Sequence, residues 1–260
     1  NEVRYREWLV FGENSTDVTH LVKNTNRTID IAGVITVNGT LDLNVSSNTL
    51  RFGLHEGGYL MGDATSRIRK TGPNSVEFRE SSPEFAGSWE VRQGNVYFYG
   101  IGTPAGVGTA PLILGDTTGT ATGLNRLWIQ SEIGSNDDTG YNSAPDDVHL
   151  YHDITIVGGS SQDHRIGTGH QAADGTTVTY HGNIDIQSDL TATQRAFYME
   201  YEDWDGTSET LTGHLQHVYV NFNGNINNTG PGAGGFIAAS VNEGGSVNDD
   251  DHIFASFVLG

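Results

Sequence analysis

The stretch Val178-Thr179-Tyr180-His181-Gly182-Asn183-Ile184 returns as Val220-Asn221-Phe222-Asn223-Gly224-Asn225-Ile226, with glycine in the fifth place of both copies. Further copies are Ile29–Ile35 and, in part, Ile154–Gly158. Apolar residues alternate with polar or small ones before the glycine, which is the period of a half-buried strand. The glycine permits a sharp bend or a close backbone contact. Recurrence of one strand-and-corner unit predicts an all-β fold with very little helix, a β-solenoid whose successive rounds bury their apolar faces against each other.

The spacing of the copies predicts rounds of about twenty residues. Gly182 and Gly224 are 42 positions apart, which we interpret as two rounds, and Gly158 and Gly182 are 24 apart, which we interpret as one. No convincing linker occurs, so we expect a single domain over 1–260. Its expected parts are an N-terminal strand and cap over 1–23, coils over 24–115, a loop-rich insertion over 116–153, and further coils with C-terminal strands over 154–260.

The charge of the chain and the length of its apolar runs argue against two kinds of partner. Among 260 residues, Lys and Arg total 13 and Asp and Glu total 32, which gives a formal net charge of -19. Such a surface repels phosphate groups and anionic lipid, so no nucleic-acid partner is expected. No apolar run approaches the roughly 18 residues that span a bilayer, so no membrane insertion is expected either.

Residue usage suggests an exported protein. The chain has no cysteine, which excludes disulfides and thiolate chemistry, and it is rich in glycine, with 35 residues. It begins with Asn1 instead of Met, as a processed mature form would. We therefore expect an extracellular or cell-surface location.

Residues 57–115 carry a second, denser pattern of strands and glycine corners. Its positions are Ile68, Lys70, Gly72, Val76, Phe78, Phe85, Gly87, Val91, Gly94, Val96 and Phe98. This segment resembles the passenger-associated (autotransporter-associated) β-strand repeat of bacterial extracellular proteins. The resemblance implies a single-stranded right-handed parallel β-helix that is exported and usually has no catalysis of its own. One good copy is present here, whereas members of the family often carry several.

The two ends of such a coil are candidate assembly sites, because an uncovered end offers unpaired backbone groups to another chain. Trp8 and Phe11 lie near one expected end, and Phe254, Phe257 and Val258 lie near the other. We therefore predict a non-enzymatic structural protein whose copies stack head to tail, or exchange terminal strands, into a fibre. A single adhesin or passenger module is the related alternative.

A polysaccharide-active enzyme is the alternative from another class. Asp146-Asp147, Gly169-His170 and the segment Arg67–Lys70 resemble parts of the polygalacturonase signature, and paired carboxylates suit inverting hydrolysis. The basic segment, however, precedes the aspartates where that family has it after the histidine. We therefore predict no catalytic residues.

Metal and glycan contacts are the remaining candidates. Asp137, Asp138 and the run Asp249, Asp250 and Asp251 are candidate ligands for structural calcium, and no other cofactor is expected. His149 and His152, like His214 and His217, are three positions apart, which on a strand sends the two rings to opposite faces. Trp204 is the candidate contact for a surface glycan, and a glycan-binding module is the third function that the sequence leaves open. Phe98 and Phe222 are instead predicted to stack inside the coil.

Overall fold

The structure is a computed structural model that describes residues 3–5, 7–53, 59–79, 82, 84–99, 111–116, 118, 123–130, 147–157, 162–169, 177–187, 197–203, 216–230, 237–243 and 253–259. Within this part of the chain the fold is all-β and has no helix, as predicted. No helix there is long and apolar enough to cross a membrane.

The described strands follow one another in the order β1 Val3–Tyr5, β2 Leu9–Phe11, β3 Val18–Lys23, β4 Ile29–Ile31, β5 Ile35–Val37, β6 Thr40–Val45, β7 Leu50–Phe52, β8 Leu60–Met61, β9 Arg67–Thr71, β10 Ser75–Phe78, β11 Ser88–Val91, β12 Gly94–Tyr99, β13 Leu112–Leu114, β14 Gly123–Gln130, β15 Asp147–Leu150, β16 Ile154–Ile156, β17 Gln162–Gly169, β18 Thr177–Tyr180, β19 Ile184–Ile186, β20 Phe197–Asp203, β21 Gln216–Phe222, β22 Ile226–Asn228, β23 Ile237–Glu243 and β24 Ile253–Leu259.

These strands form four sheets, and every pairing within them is parallel. The nine-stranded sheet has the order β1-β4-β7-β10-β12-β14-β17-β20-β23, and the eight-stranded sheet has the order β22-β19-β16-β13-β11-β9-β6-β3. A three-stranded sheet, β2-β5-β8, belongs to the first part of the chain, and a four-stranded sheet, β15-β18-β21-β24, to the last part.

The chain visits these sheets in rotation. From β1 to β9 it passes from the nine-stranded to the three-stranded to the eight-stranded sheet three times, and from β14 to β24 the four-stranded sheet takes the second place. We call one such passage a round. Each strand pairs with the strand that holds the same place one round away, which brings equal positions of successive rounds into register.

The interior is built from columns of inward side chains, one from each round. Phe52, Phe78 and Phe98 stack in the nine-stranded sheet, with ring centroids 4.7 and 5.6 Å apart. Tyr180 stacks on Phe222 at 4.9 Å, and both rings are fully buried. The predicted internal stacks of Phe98 and Phe222 are therefore confirmed. Parallel strands stabilise such columns because in-register pairing places like side chains directly above each other.

Close packing of the backbone explains the glycine of the repeat. Val178 pairs with Val220, and the corner that follows brings Gly224 against the backbone of Gly182 and Gly182 against that of His152. A Cβ at Gly224 would overlap the carbonyl oxygen of Gly182. Successive corners nest only where no side chain intervenes, so the glycine is a packing requirement.

The register corrects our interpretation of the spacings. Because Val178 pairs directly with Val220, 42 residues make one round here, and the interpretation as two rounds is wrong. Ile154 pairs with Ile184, so the fourth copy, Ile154–Gly158, matches the segment after the corner and not Val178. The Ile29 copy lies in a different sheet from the Val178 copy. Short rounds do occur earlier, where Val76 pairs with Val96.

The loop-rich stretch predicted over 116–153 contains two strands of regular sheet. β14 pairs with both β12 and β17 in the nine-stranded sheet, and β15 is an edge of the four-stranded sheet. The alternation is hidden in β14 because Asn125, fully buried, takes an inward place on the same face as Leu127 and Ile129.

Candidate functional site

Six of the eight sheet edges in the described part of the chain are formed by its first three and last three strands, and the other two are β8 and β15. The first three strands, β1, β2 and β3, are each an edge of the nine-, three- and eight-stranded sheets. The last three, β22, β23 and β24, are edges of the eight-, nine- and four-stranded sheets. Each of these six strands has one strand neighbour in the described part of the chain. All five predicted assembly residues lie in or beside them.

The first edge is apolar. In the part of the chain that the structure describes, seven large apolar side chains are exposed, and five of them, Tyr5, Trp8, Val10, Val18 and Val22, belong to this edge. Val10, Val18 and Val22 occupy outward positions, where the alternation of a strand on a monomer's surface normally places polar residues. The exposed large apolar side chains of the described residues are thus concentrated at one end of the chain. We call these five residues the apolar edge.

Trp8 and Phe11 have different roles within this end. Trp8 is 68% exposed, and its indole N–H donates a hydrogen bond to Thr36 Oγ1 at 3.0 Å. Phe11 is half-buried and packs against the hydrophobic core, opposite Val37 of the next round. Trp8 therefore presents a fixed ring to the outside, whereas Phe11 covers the end of the interior.

The other end carries the remaining predicted assembly residues. Phe254, Phe257 and Val258 lie in β24, where their backbones pair with His217, Val220 and Asn221. Val220, the backbone partner of Phe257, is fully buried. In β22, Ile226 is partly buried and packs against the core.

Charged side chains link three rounds on the outer face of the eight-stranded sheet. Asp42, Arg69 and Glu90 occupy paired positions on β6, β9 and β11. Arg69 lies 3.5 Å from the carboxylate of Asp42 and 3.3 Å from that of Glu90. The Glu90 side chain is fully buried and also lies 3.0 Å from Arg92 Nε. This charge ladder satisfies a carboxylate that would otherwise be costly to bury.

Lys70, one of the positions of the sequence pattern over residues 57–115, points into the interior. Its ammonium group donates hydrogen bonds to the carbonyl oxygens of Thr71, Gly72 and Gln93 at 2.8, 2.7 and 2.9 Å. Burial lowers the pKa of Lys70 to about 7. These carbonyls belong to the corners of two neighbouring rounds, so Lys70 joins the corners from inside.

Two histidines meet at the surface of the four-stranded sheet. His149 lies in β15, and His181 lies in the corner after β18, one round later. His181 Nε2 is 3.0 Å from His149 Nδ1, and Asp147 Oδ2 is 3.3 Å from His149 Nε2. Tyr151 stacks on the His181 ring at 4.4 Å. Burial, followed by the neighbouring His149, lowers the pKa of His181.

Sequence reasoning missed His181 as the partner of His149. Sequence spacing draws attention only to His152, three positions from His149, whose ring a strand sends to the opposite face. His152 in fact lies beyond the end of β15. The signal for His181 was its place directly before the repeat glycine, but its use required the register of the two rounds. Tyr5, Val10, Val18 and Val22 were missed as well, although the outward valines break the apolar-polar alternation of their strands.

The parts of the polygalacturonase-like pattern lie on different sheets where the structure describes them. Arg67 and Lys70 belong to β9 of the eight-stranded sheet, Asp147 to β15 of the four-stranded sheet, and Gly169 to β17 of the nine-stranded sheet. Lys70 is buried and bonded to corner carbonyls. Asp146 and His170 fall outside the described residues.

The calcium and glycan candidates also fall outside the described residues. They are Asp137, Asp138, Asp249, Asp250, Asp251 and Trp204. Within the described ranges, no group of three or more His, Cys, Asp or Glu side chains is arranged to hold a metal ion. Comparison of the chain with models of known families, with curated proteins and with solved structures finds no match.

Proposed function

We propose that this protein is a non-enzymatic structural component whose copies join end to end into a fibre. In this proposal the rounds form a right-handed parallel β-solenoid, and the first edge of one copy pairs with the last edge of the next. The observation that carries the proposal is the apolar edge, Tyr5, Trp8, Val10, Val18 and Val22. These residues lie on or next to three strands that each lack a second strand neighbour among the described residues.

The order of the sheets supports this mode of joining. β1 and β23 are opposite edges of the nine-stranded sheet, and β3 and β22 are opposite edges of the eight-stranded sheet. β2 and β24 hold the same place in the rotation at the two ends. A copy placed in line with another can therefore continue the walls in parallel, and such a heterologous contact propagates without closing.

Burial of apolar side chains supplies a driving force for this contact. Exposed strand edges pair readily with other chains, and monomeric proteins usually protect them with charges or proline. Val10 and Val22 offer apolar side chains instead, each 60% exposed. We also propose an extracellular or cell-surface location, in keeping with the acidic, cysteine-free composition and with the resemblance of residues 57–115 to passenger repeats.

The test is a charged double variant of the full chain, Val10→Lys with Val22→Lys. We expect the unmodified protein to form rods or fibres that lengthen with concentration, and the double variant to remain monomeric, as measured by sedimentation velocity and negative-stain microscopy. The matched control is Tyr219→Lys, because Tyr219 is 43% exposed on β21, an inner strand of its sheet.

The control variant should assemble like the unmodified protein. A monomeric unmodified protein at high concentration would overturn the fibre proposal and leave a single adhesin or passenger module. Assembly of the double variant at the unmodified level would show that another surface makes the contact.

A further inference from the structure

We propose that His149 and His181 together bind a divalent transition-metal ion, Zn²⁺ or Cu²⁺, that bridges two neighbouring rounds. The inference is independent of the end-to-end assembly, because the pair lies on β15 and on the corner after β18. The two rings come from positions 32 residues apart and meet because β15 and β18 pair in register.

The distance between the two nitrogens suits two ligands of one ion. Imidazole nitrogens lie about 2.0–2.1 Å from Zn²⁺. Two such ligands at a right angle are then about 2.9 Å apart, and at the tetrahedral angle about 3.4 Å. His149 Nδ1 and His181 Nε2 are 3.0 Å apart, within this range. The two rings therefore need to rotate to bind a metal ion, but the strands that hold them need to move little.

Asp147 prepares His149 for this role. Its Oδ2 lies 3.3 Å from Nε2, the nitrogen of His149 that faces away from His181. A proton held at Nε2 by the carboxylate leaves a lone pair on Nδ1, directed at His181. A carboxylate that orients a histidine in this way is the usual outer partner of a metal-binding imidazole.

Tyr151 fixes the second ring. It stacks on His181 with an interplanar angle of 8° and centroids 4.4 Å apart, and it is 61% exposed. The stack holds the plane of the His181 ring while leaving the site open to solvent. Water can therefore complete the coordination of an ion that has two protein ligands.

The experiment is titration of the full-length protein with Zn²⁺ by calorimetry, together with electron paramagnetic resonance of the Cu²⁺-loaded protein. We expect one binding event that disappears in His149→Ala and in His181→Ala, and a Cu²⁺ spectrum with coupling to two imidazole nitrogens in the unmodified protein. Asp147→Asn should weaken this event by about 10- to 100-fold. Zn²⁺ should raise the melting temperature of the unmodified protein. It should not raise the melting temperature of the variants that have lost the binding event.

The controls separate this site from the other histidines. His20→Ala removes a histidine of β3 that pairs with Asp42 at 3.2 Å, and it should leave the binding event unchanged. His181→Gln retains a group that can hydrogen-bond to His149 but is a poor ligand, so it should lose binding while keeping the fold. Equal Zn²⁺ binding by the unmodified protein, His149→Ala and His181→Gln would overturn the proposal and leave the pair as a hydrogen bond between rounds.

Discussion

Burial of Lys70 beside corner carbonyls makes the stability of this protein depend on pH above neutrality. The unfolded chain holds the lysine proton up to the ordinary pKa of 10.5, whereas burial lowers the pKa of the folded state to about 7. Between these values the unfolded state binds more protons, so the free energy of unfolding rises with pH. We expect Lys70→Met to remove this rise, which can approach about 1.4 kcal/mol per pH unit. Urea unfolding at pH 7.5 and pH 9.5 measures it.

The informative quantity in that experiment is the change in the free energy of unfolding between pH 7.5 and pH 9.5. Methionine leaves the carbonyls of Thr71, Gly72 and Gln93 without their donor, so the variant is expected to be less stable at both pH values. An equal change of the unfolding free energy with pH in the unmodified protein and in Lys70→Met would contradict a lowered pKa of Lys70.

Single residues differ in how well the sequence predicts their roles. The burial of Ile31, Tyr180 and Phe222 follows from alternation alone, and the structure confirms it. The meeting of His149 with His181 does not follow, because it depends on which rounds are adjacent. The sequence spacing of the glycines suggested a different adjacency from the observed pairing of Val178 with Val220.

Strands β6, β9 and β11 depend on the charge ladder for part of their mutual stability. Arg69→Met removes the cation between Asp42 and Glu90, and the Glu90 side chain is fully buried. Breaking a buried ion pair leaves an uncompensated charge, which typically costs about 3–5 kcal/mol. Arg92 remains 3.0 Å from Glu90, so we expect a loss toward the lower end of that range. Chemical denaturation measures the loss.

Two further variants test this explanation. Glu90→Gln in the Arg69→Met background should recover part of the stability, because the amide carries no charge to bury. His20→Ala removes the exposed end of the same row and should change stability by no more than about 1 kcal/mol. A loss in His20→Ala equal to that in Arg69→Met would refute a special role for the buried carboxylate.

Whole strands were predicted where apolar alternation is complete and missed where it is not. β18 and β21 follow from their repeated pattern, whereas β14 lies in the stretch over 116–153 that is predicted to be loop-rich, and no repeated pattern marks β17. In each of these strands a polar residue takes one of the inward places. They are Asn125 and His164, both fully buried, whose Oδ1 and Nδ1 atoms are 2.8 Å apart. Burial lowers the pKa of His164 to about 4, so the ring is neutral at pH 7. Paired polar groups can thus replace apolar ones inside the sheet, and a single sequence does not reveal the pairing.

The net charge of the molecule opposes the assembly proposed for it. Copies with a formal charge of -19 repel each other, and screening lengths fall from about 30 Å at 0.01 M salt to about 8 Å at 0.15 M. We expect end-to-end association to strengthen as salt rises over this range, because the apolar edge is unaffected while the repulsion is screened. Light scattering at fixed protein concentration measures this change.

The charged double variant, Val10→Lys with Val22→Lys, serves as the control and should remain monomeric at both salt concentrations. Association of the unmodified protein that weakens with added salt would contradict an apolar contact and indicate attraction between charged groups instead.

The exclusive pairing of each strand with its counterparts in adjacent rounds has a consequence for biosynthesis. Val76 pairs with Leu50 in the preceding round and with Val96 in the following round. No described strand pairs with a segment from the far end of the chain. Structure can therefore be acquired progressively, from the first residues to the last, while the remainder is still unfolded. A chain of this connectivity is suited to passing through a narrow channel as an extended thread, since each newly emerged segment finds its template already in place.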